Sequence, residues 1–288
     1  VLPVEPWVLV VAGLAVLVGA VVQGSIGFGL GLVAAPVMAL VDPRLVPGTL
    51  LLVIVALPAL TVAREARDVD WRGVRWALVG RVPGTAVGAY AVVVLSERAL
   101  SLVVAVVVLG AVAFSLGGWR PGGPSRPGPP SGPGAPAGSG TPSGPGAPAG
   151  SGTPSGPGAP AGPDVAPEPG PRSMLAGGLL SGVTGTATSV GGPPMAILYQ
   201  HSSGARVRST LAVFFLIGSL VSVAALVLVG EIGRPELLAA TVLLPFMAVG
   251  FLVSGPLRRP LDRGFTRPAV LVLSAGAALV LGTRALLG

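Results

Sequence analysis

Two glycine-rich stretches and one arginine hold most of the residues that could act on a ligand. The first stretch, Gln23-Gly24-Ser25-Ile26-Gly27-Phe28-Gly29-Leu30-Gly31, has four glycines in eight residues beside two polar side chains, Gln23 and Ser25. The second, Gly182-Val183-Thr184-Gly185-Thr186-Ala187-Thr188-Ser189-Val190-Gly191-Gly192-Pro193-Pro194, offers hydroxyls from Thr184, Thr186, Thr188 and Ser189. Glycine lowers helix propensity and lets the backbone turn, and Pro193-Pro194 suits the first turn of a new helix. Half-helices that start at such breaks present free N–H groups and a positive dipole end. Together these bind an anion without a charged side chain. The candidate donors are therefore Gly24, Gly27, Gly29, Gly31, Gly185, Gly191 and Gly192 through the backbone, and Gln23, Ser25, Thr184, Thr186, Thr188 and Ser189 through side chains. Close helix packing at small residues is the alternative. The recurrence of a polar, glycine-rich break in both halves favours a site.

Arg81 lies ten residues into the apolar segment 71–95, about 15 Å along a helix axis and near mid-depth. An arginine inside a membrane is a functional candidate, here the counter-charge for an anion. The alternative is that it snorkels to the surface past Pro83-Gly84. His201 is the single histidine. It is open to a proton-coupling role, since histidine titrates near pH 6.5, although its commoner meaning is a solvated loop residue. Gln23 and Ser25 suit either an oxyanion or the capping of the preceding helix, and the charges at Glu65, Asp68 and Asp70 read as a solvated loop.

Other chemistry is excluded by what the chain lacks. There is no cysteine and only one histidine, so thiolate metal sites, disulfides and histidine clusters are ruled out. No HExxH, P-loop or nucleophile-elbow motif occurs. The expectation is a protein that is not an enzyme and carries no cofactor or metal. Its net charge of +7 comes from arginine alone and is dealt out between apolar runs, which argues against nucleic acid as a partner.

The elements that must position these residues are membrane helices. Charged residues make up 10% of the chain and apolar ones 51%, against roughly 25% charged in a soluble domain. Apolar segments fall near 7–22, 28–41, 46–63, 71–95 and 99–117, and again near 174–189, 192–200, 210–229, 237–256 and 269–286. The opening run lacks the basic start and small-residue cleavage site of a signal peptide and is expected to be the first membrane segment. Segments 7–22 and 28–41 fall short of the roughly 20 residues that span a bilayer. They suit a broken hairpin whose unwound backbone is tolerated only beside protein or a water-filled cavity.

Between the blocks, residues 118–172 contain 17 prolines and 16 glycines, with SGPGAPAGSGTP occurring at 131 and again at 143. Such a segment cannot bury enough apolar surface to order itself and is expected to be a disordered tether. The organisation is thus a first transmembrane repeat over 1–117, the tether over 118–172 and a second repeat over 173–288. An offset of 158 sets Gly24, Gly27 and Pro36 on Gly182, Gly185 and Pro194. An offset of 161 sets Val46, Thr49 and Leu50 on Val207, Thr210 and Leu211, and one of 162 sets Pro83 and Gly88 on Pro245 and Gly250.

If each break turns the chain back, 13 arginines share one face and four the other; if each break only kinks a helix, the split is nine to eight. The positive-inside rule prefers the former. Five segments per half then make the halves inverted. The expected fold is an all-α polytopic membrane protein of two inverted repeats, each a broken glycine-rich hairpin followed by three transmembrane helices, with about 8–10 membrane segments. Both termini would lie outside, with the tether in the cytoplasm.

The run QGSIGFGLGLVAAPVMALV and its partner GVTGTATSVGGPPMAILYQHSSGARVRSTLAVFF resemble the two signature regions of the TauE/SafE sulfite exporter family. The resemblance covers both blocks and leaves out the tether, which is longer than the family usually carries. It implies a carrier in the cytoplasmic membrane, commonly described as eight spans in two four-span units, that moves sulfite, sulfonates or related sulfur anions without ATP. The small anion and the lipid bilayer are the expected partners, and proton coupling is open. The alternatives are a carrier for another small organic or carboxylate anion, and a non-transporting scaffold or assembly factor.

Overall fold

The computed structural model describes residues 5–65, 68–117, 169–199, 202, 204–261 and 266–287. Residues 118–168 of the expected tether, Gln200, His201 and Arg67 lie outside the described residues, and the last two residues expected in the tether, Pro171 and Arg172, begin α6. Among those described there are ten α-helices and no strand. The first block holds α1 (Pro6–Ile26), α2 (Leu30–Val41), a 3-10 turn (Pro43–Leu45), α3 (Gly48–Glu65), α4 (Trp71–Val94) and α5 (Glu97–Gly117). The second holds α6 (Pro171–Thr188), α7 (Gly192–Leu198), α8 (Gly204–Leu228), α9 (Arg234–Leu261) and α10 (Thr266–Leu287). Five of these helices are long and apolar enough to cross a membrane.

Both glycine-rich stretches are more helical than their composition suggests. α1 runs through Gln23, Gly24, Ser25 and Ile26 before it stops at Gly27, whose φ of 102° is left-handed and whose N–H returns to the Gln23 carbonyl at 2.7 Å. The expected half-helix 7–22 is therefore a helix of 21 residues, long enough to span. α6 likewise continues to Thr188 and ends at Ser189, which takes the left-handed turn at φ 61°. Burial against neighbouring helices supplies what the glycines lack in propensity. The breaks reduce to Gly27-Phe28-Gly29 and Ser189-Val190-Gly191.

Each break does turn the chain back. A Cβ at Gly19 would sit 2.9 Å from the Leu30 carbonyl oxygen, so α2 returns along α1; Gly177 faces Leu198 and Gly185 faces Gly191, so α7 returns along α6. The register between the blocks also differs from the offset of 158 expected at the breaks. Ile26 and Thr188 end α1 and α6, Leu30 and Gly192 begin α2 and α7, and both pairs are 162 apart. That is the offset which also joins Pro83 to Pro245. Sequence identity among scattered glycines misaligned the breaks by one helical turn.

Tertiary packing exchanges helices between the blocks. Gly80, Gly84 and Gly88 of α4 meet the backbone of Leu175, Leu179 and Val183 in α6, while Gly178 and Gly182 of α6 meet that of Ala77 and Arg81 in α4. The constant spacing means that α4 and α6 run parallel in near backbone contact. α1 and α9 do the same, Gly13 meeting Phe246, Gly250 meeting Leu17 and Gly24 meeting Ser254. Two bundles result, one of α1, α2, α3 and α9 and the other of α4, α6, α7 and α8, with α3 lying against α8 and α5 against α10. Gly48, at the start of α3, meets Glu231 and Glu236 at the start of α9. Those glutamates share a cavity with Val92, Leu95 and Glu97 at the end of α4. α4 thus ends where α9 begins, and the two run antiparallel.

The outer surface is apolar. Val79, Val82, Val87, Tyr90 and Val93 of α4 are all more than half exposed, as expected of a face solvated by lipid.

Candidate functional site

A cavity of about 40 Å³ lies where the two bundles meet. The first bundle contributes Gln23, Phe28, Gly29, Gly31, Leu32, Leu51 and Ile54, and the second Arg81, Gly185, Ser189, Val190, Gly191, Gly192, Pro193, Phe215 and Ser219. The breaks touch across it, since Gly192 packs on the Phe28 ring and Gly31 lies against the Ser189 carbonyl. A side chain at Gly31 would overlap that carbonyl, so close approach requires glycine there.

Arg81 does not snorkel. It is 3% exposed; its Nη1 donates to Ser181 Oγ at 2.8 Å, and its guanidinium lies over the Phe214 ring at 4.9 Å from the centroid. Ser181 in turn donates to the Gly191 carbonyl at 2.6 Å, tying the cation to the second break. Nη2 lies beside Gly185 and the Nε edge crosses α8 at Gly218, where a Cβ would overlap it. Nε is buried against Gly218 without a hydrogen-bond partner, which is costly for a charged donor.

Gln23 acts between the two roles expected of it. Its Oε1 accepts from the Leu30 N–H at 3.0 Å, so it caps the helix after the break. Because Leu30 is a donor, that end of the amide must be oxygen, and its NH₂ is left for the cavity. Beyond Leu30, the N–H groups of Gly31 and Leu32 sit in the first turn of α2, ahead of any carbonyl of their own helix. The facing start of α7 is poorer in donors, since Pro193 and Pro194 have no N–H. Arg81 stands on that side.

Of the expected site residues, Gln23, Gly29, Gly31, Arg81, Gly185, Ser189, Gly191 and Gly192 are brought together, and the rest lie elsewhere. Gly24 packs on Phe251 and Ser254 of α9, and Gly27 turns the chain against Arg208. Ser25 and Thr184 donate to carbonyls of their own helices, at Val21 and Leu180. Thr186 pairs with Ser222 at 2.8 Å, and Thr188 bonds the Thr184 carbonyl and accepts from the Val190 N–H. Short side chains that back-bond within a helix have little left to offer a ligand. Ser181, Phe214, Phe215 and Gly218 were not anticipated. The row Gly178, Ser181, Gly182 and Gly185 is a small-residue face at helical spacing, a signal that could have found Ser181.

At the Glu97 end a wider cavity of about 540 Å³ is lined by Arg44, Pro47, Ser96, Glu97, Glu231 and Glu236 among others. Between the two lie Leu51, Ala89, Val92, Ala187 and Leu226, one buried apolar cluster, and the bond from Ser189 Oγ to the Pro47 carbonyl at 3.2 Å. At the opposite end Tyr199 donates to Asp70 at 2.9 Å, and the Asp70 N–H donates to Thr210 of α8 at 3.0 Å.

No curated protein and no solved structure matches the chain. A family model, sulfite exporter TauE/SafE, matches residues 11–281, taking in both breaks, Arg81 and nearly every helix described. With five helices able to cross a membrane and a match over most of its length, the chain is a multi-pass membrane protein and belongs to the TauE/SafE sulfite exporter family.

Proposed function

We propose that this chain is a secondary carrier that moves a small sulfur oxyanion, sulfite or an organosulfonate, outward across the cell membrane without ATP or a bound cofactor. The observation that carries this is Arg81, a buried cation that lines a cavity built from both breaks. The anion would lie between the guanidinium, the Gln23 NH₂ and the first-turn N–H groups of α2, with Ser189 and the glycines at 185, 191 and 192 allowing close approach. Parallel packing of α1 with α9 and of α4 with α6, combined with antiparallel α4 and α9, supports an inverted relation between the two blocks. Alternating access would then be a rocking of the two exchanged bundles, opening the Tyr199–Asp70 side and the Ser189–Pro47 side in turn. Arginines gathered at the Asp70 end support a cytoplasmic placement of that end.

Purified protein in liposomes loaded with labelled sulfite or methanesulfonate should release either anion faster than empty liposomes do. Release should drop to background when Arg81 is replaced by Gln. Imposing a pH gradient on the same vesicles reads proton coupling. Release no faster than from protein-free vesicles would overturn the carrier assignment.

A further inference from the structure

Arg81 is the one charged residue lining the small cavity among the described residues. The other charges of its own helix, Arg72 and Arg75, are exposed towards the Asp70 end. Arg172 at the start of α6 and Arg206 at the start of α8 belong to that end too, and Arg208, half-buried against Gly27 of the first break, does not line the cavity. Arg64 closes α3 there, 4.6 Å over the Phe251 ring. The helices α1 and α2 contain no charged side chain, and Tyr199, after α7, is bonded to Asp70. The partial charges of helix ends, about +0.5 at the starts of α2 and α7 and about −0.5 at the ends of α1 and α6, roughly cancel. The second block brings no matching cation, because the position 162 residues beyond Arg81 is Leu243, which is fully buried. The fixed charge at the cavity is therefore a single positive one. Ser181 and Phe214 hold it in place.

We infer that the cavity accepts singly charged oxyanions and rejects doubly charged ones, so that sulfite is carried as hydrogensulfite, organosulfonates share its route, and the sulfite dianion and sulfate are excluded. This rests on the carrier function proposed above and narrows its substrate class. A monoanion against Arg81 leaves the buried site neutral. A dianion leaves one negative charge without a partner among Phe28, Leu32, Leu51, Ile54 and Phe215, and unpaired buried charge is what folded proteins most strongly avoid. A cavity of about 40 Å³ has room for only a few waters, so a dianion cannot bring its hydration shell to compensate.

The test uses the purified full chain in liposomes, with the same pH on both sides and three labelled anions: methanesulfonate, sulfite and sulfate. Between pH 6 and 8.5 methanesulfonate flux should stay level. Sulfite flux should follow its monoanion, falling about tenfold for each pH unit above the second ionisation of free sulfite. Sulfate flux should lie at least about tenfold below that of methanesulfonate at every pH. Sulfite flux that keeps pace with methanesulfonate across this range, or sulfate flux equal to it, would overturn charge selection while leaving the carrier intact. Movement of none of the three would overturn both.

Discussion

At the scale of single residues, the site depends on where Arg81 is held as much as on its charge. At an effective dielectric of about 20, a unit pair about 5 Å apart is worth roughly 3 kcal/mol, or about a hundredfold in affinity. Arg81→Gln should therefore weaken anion binding about a hundredfold, Arg81→Lys should recover part of it, and Arg75→Gln, exposed on the same helix, should change it little; calorimetric titration of the three proteins with methanesulfonate checks this. Similar small losses at both positions would remove Arg81 from the site. Gly218→Ala should reproduce much of the Arg81→Gln loss, because its methyl group would occupy the path of the guanidinium. In an Arg81→Gln background it should add almost nothing, and a full additional loss there would show that Gly218 acts on something else. Arg81 was legible from sequence because depth along an apolar helix can be counted. Gly218 was not, since its role is an absent side chain opposite a residue 137 positions away, and no local pattern records that.

At the scale of elements, helix pairs are set by where backbones touch. α4 offers Gly80, Gly84 and Gly88 to α6, and a side chain at Gly84 would overlap the Leu179 carbonyl. Overpacking of this kind typically costs about 1–3 kcal/mol, so Gly84→Val should lower the melting temperature in detergent and loosen the seam beneath Arg81. Gly110 of α5 has nothing within 4 Å of where an added methyl group would sit, and Gly110→Ala should leave the melting temperature level or raise it, as helix propensity alone dictates. Equal losses at both positions would mean that the glycines matter for flexibility and not for contact. Most element bounds could be read in advance from apolar run length, including the short α7 after Gly191. The end of α1 could not, because local propensity stops it at its first glycines and only burial against α9 carries it on; α6 ends at Thr188, within a residue of the expected 189. The consequence reaches the site. Had α1 stopped before Gln23, that side chain would have no fixed direction, and the Leu30 N–H would be uncapped.

At the scale of the whole molecule, the partner of each helix was the illegible part. The offsets between the two blocks point to two halves, yet the packed bodies each take one helix from the other block, and such offsets say nothing of partners. The charge distribution can be followed only in part, because seven of the 13 arginines expected on one face lie outside the residues with described side chains. Among residues with described side chains, Arg64, Arg72, Arg75, Arg172, Arg206 and Arg208 lie at the Asp70 end, with Asp68 and Asp70. Arg44, Arg98, Arg234 and Arg284 lie at the other, outnumbered by Glu5, Asp42, Glu97, Glu231 and Glu236. Two of those four have their guanidinium groups tied down, Arg98 to the Ala285 and Leu286 carbonyls and Arg284 to the Leu40 carbonyl. Among the described residues, arginine therefore gathers at the Asp70 end, the end that the positive-inside rule favours for the cytoplasm, where it would also draw anions towards a carrier working outward. Because the chain contains no cysteine, single substitutions report the faces directly. In intact cells, Glu97→Cys should react with a membrane-impermeant maleimide and Arg72→Cys should react only after the cells are opened. The reverse pattern would place the glutamate-lined vestibule inside, and the electrostatic argument for export would then point the anion the wrong way.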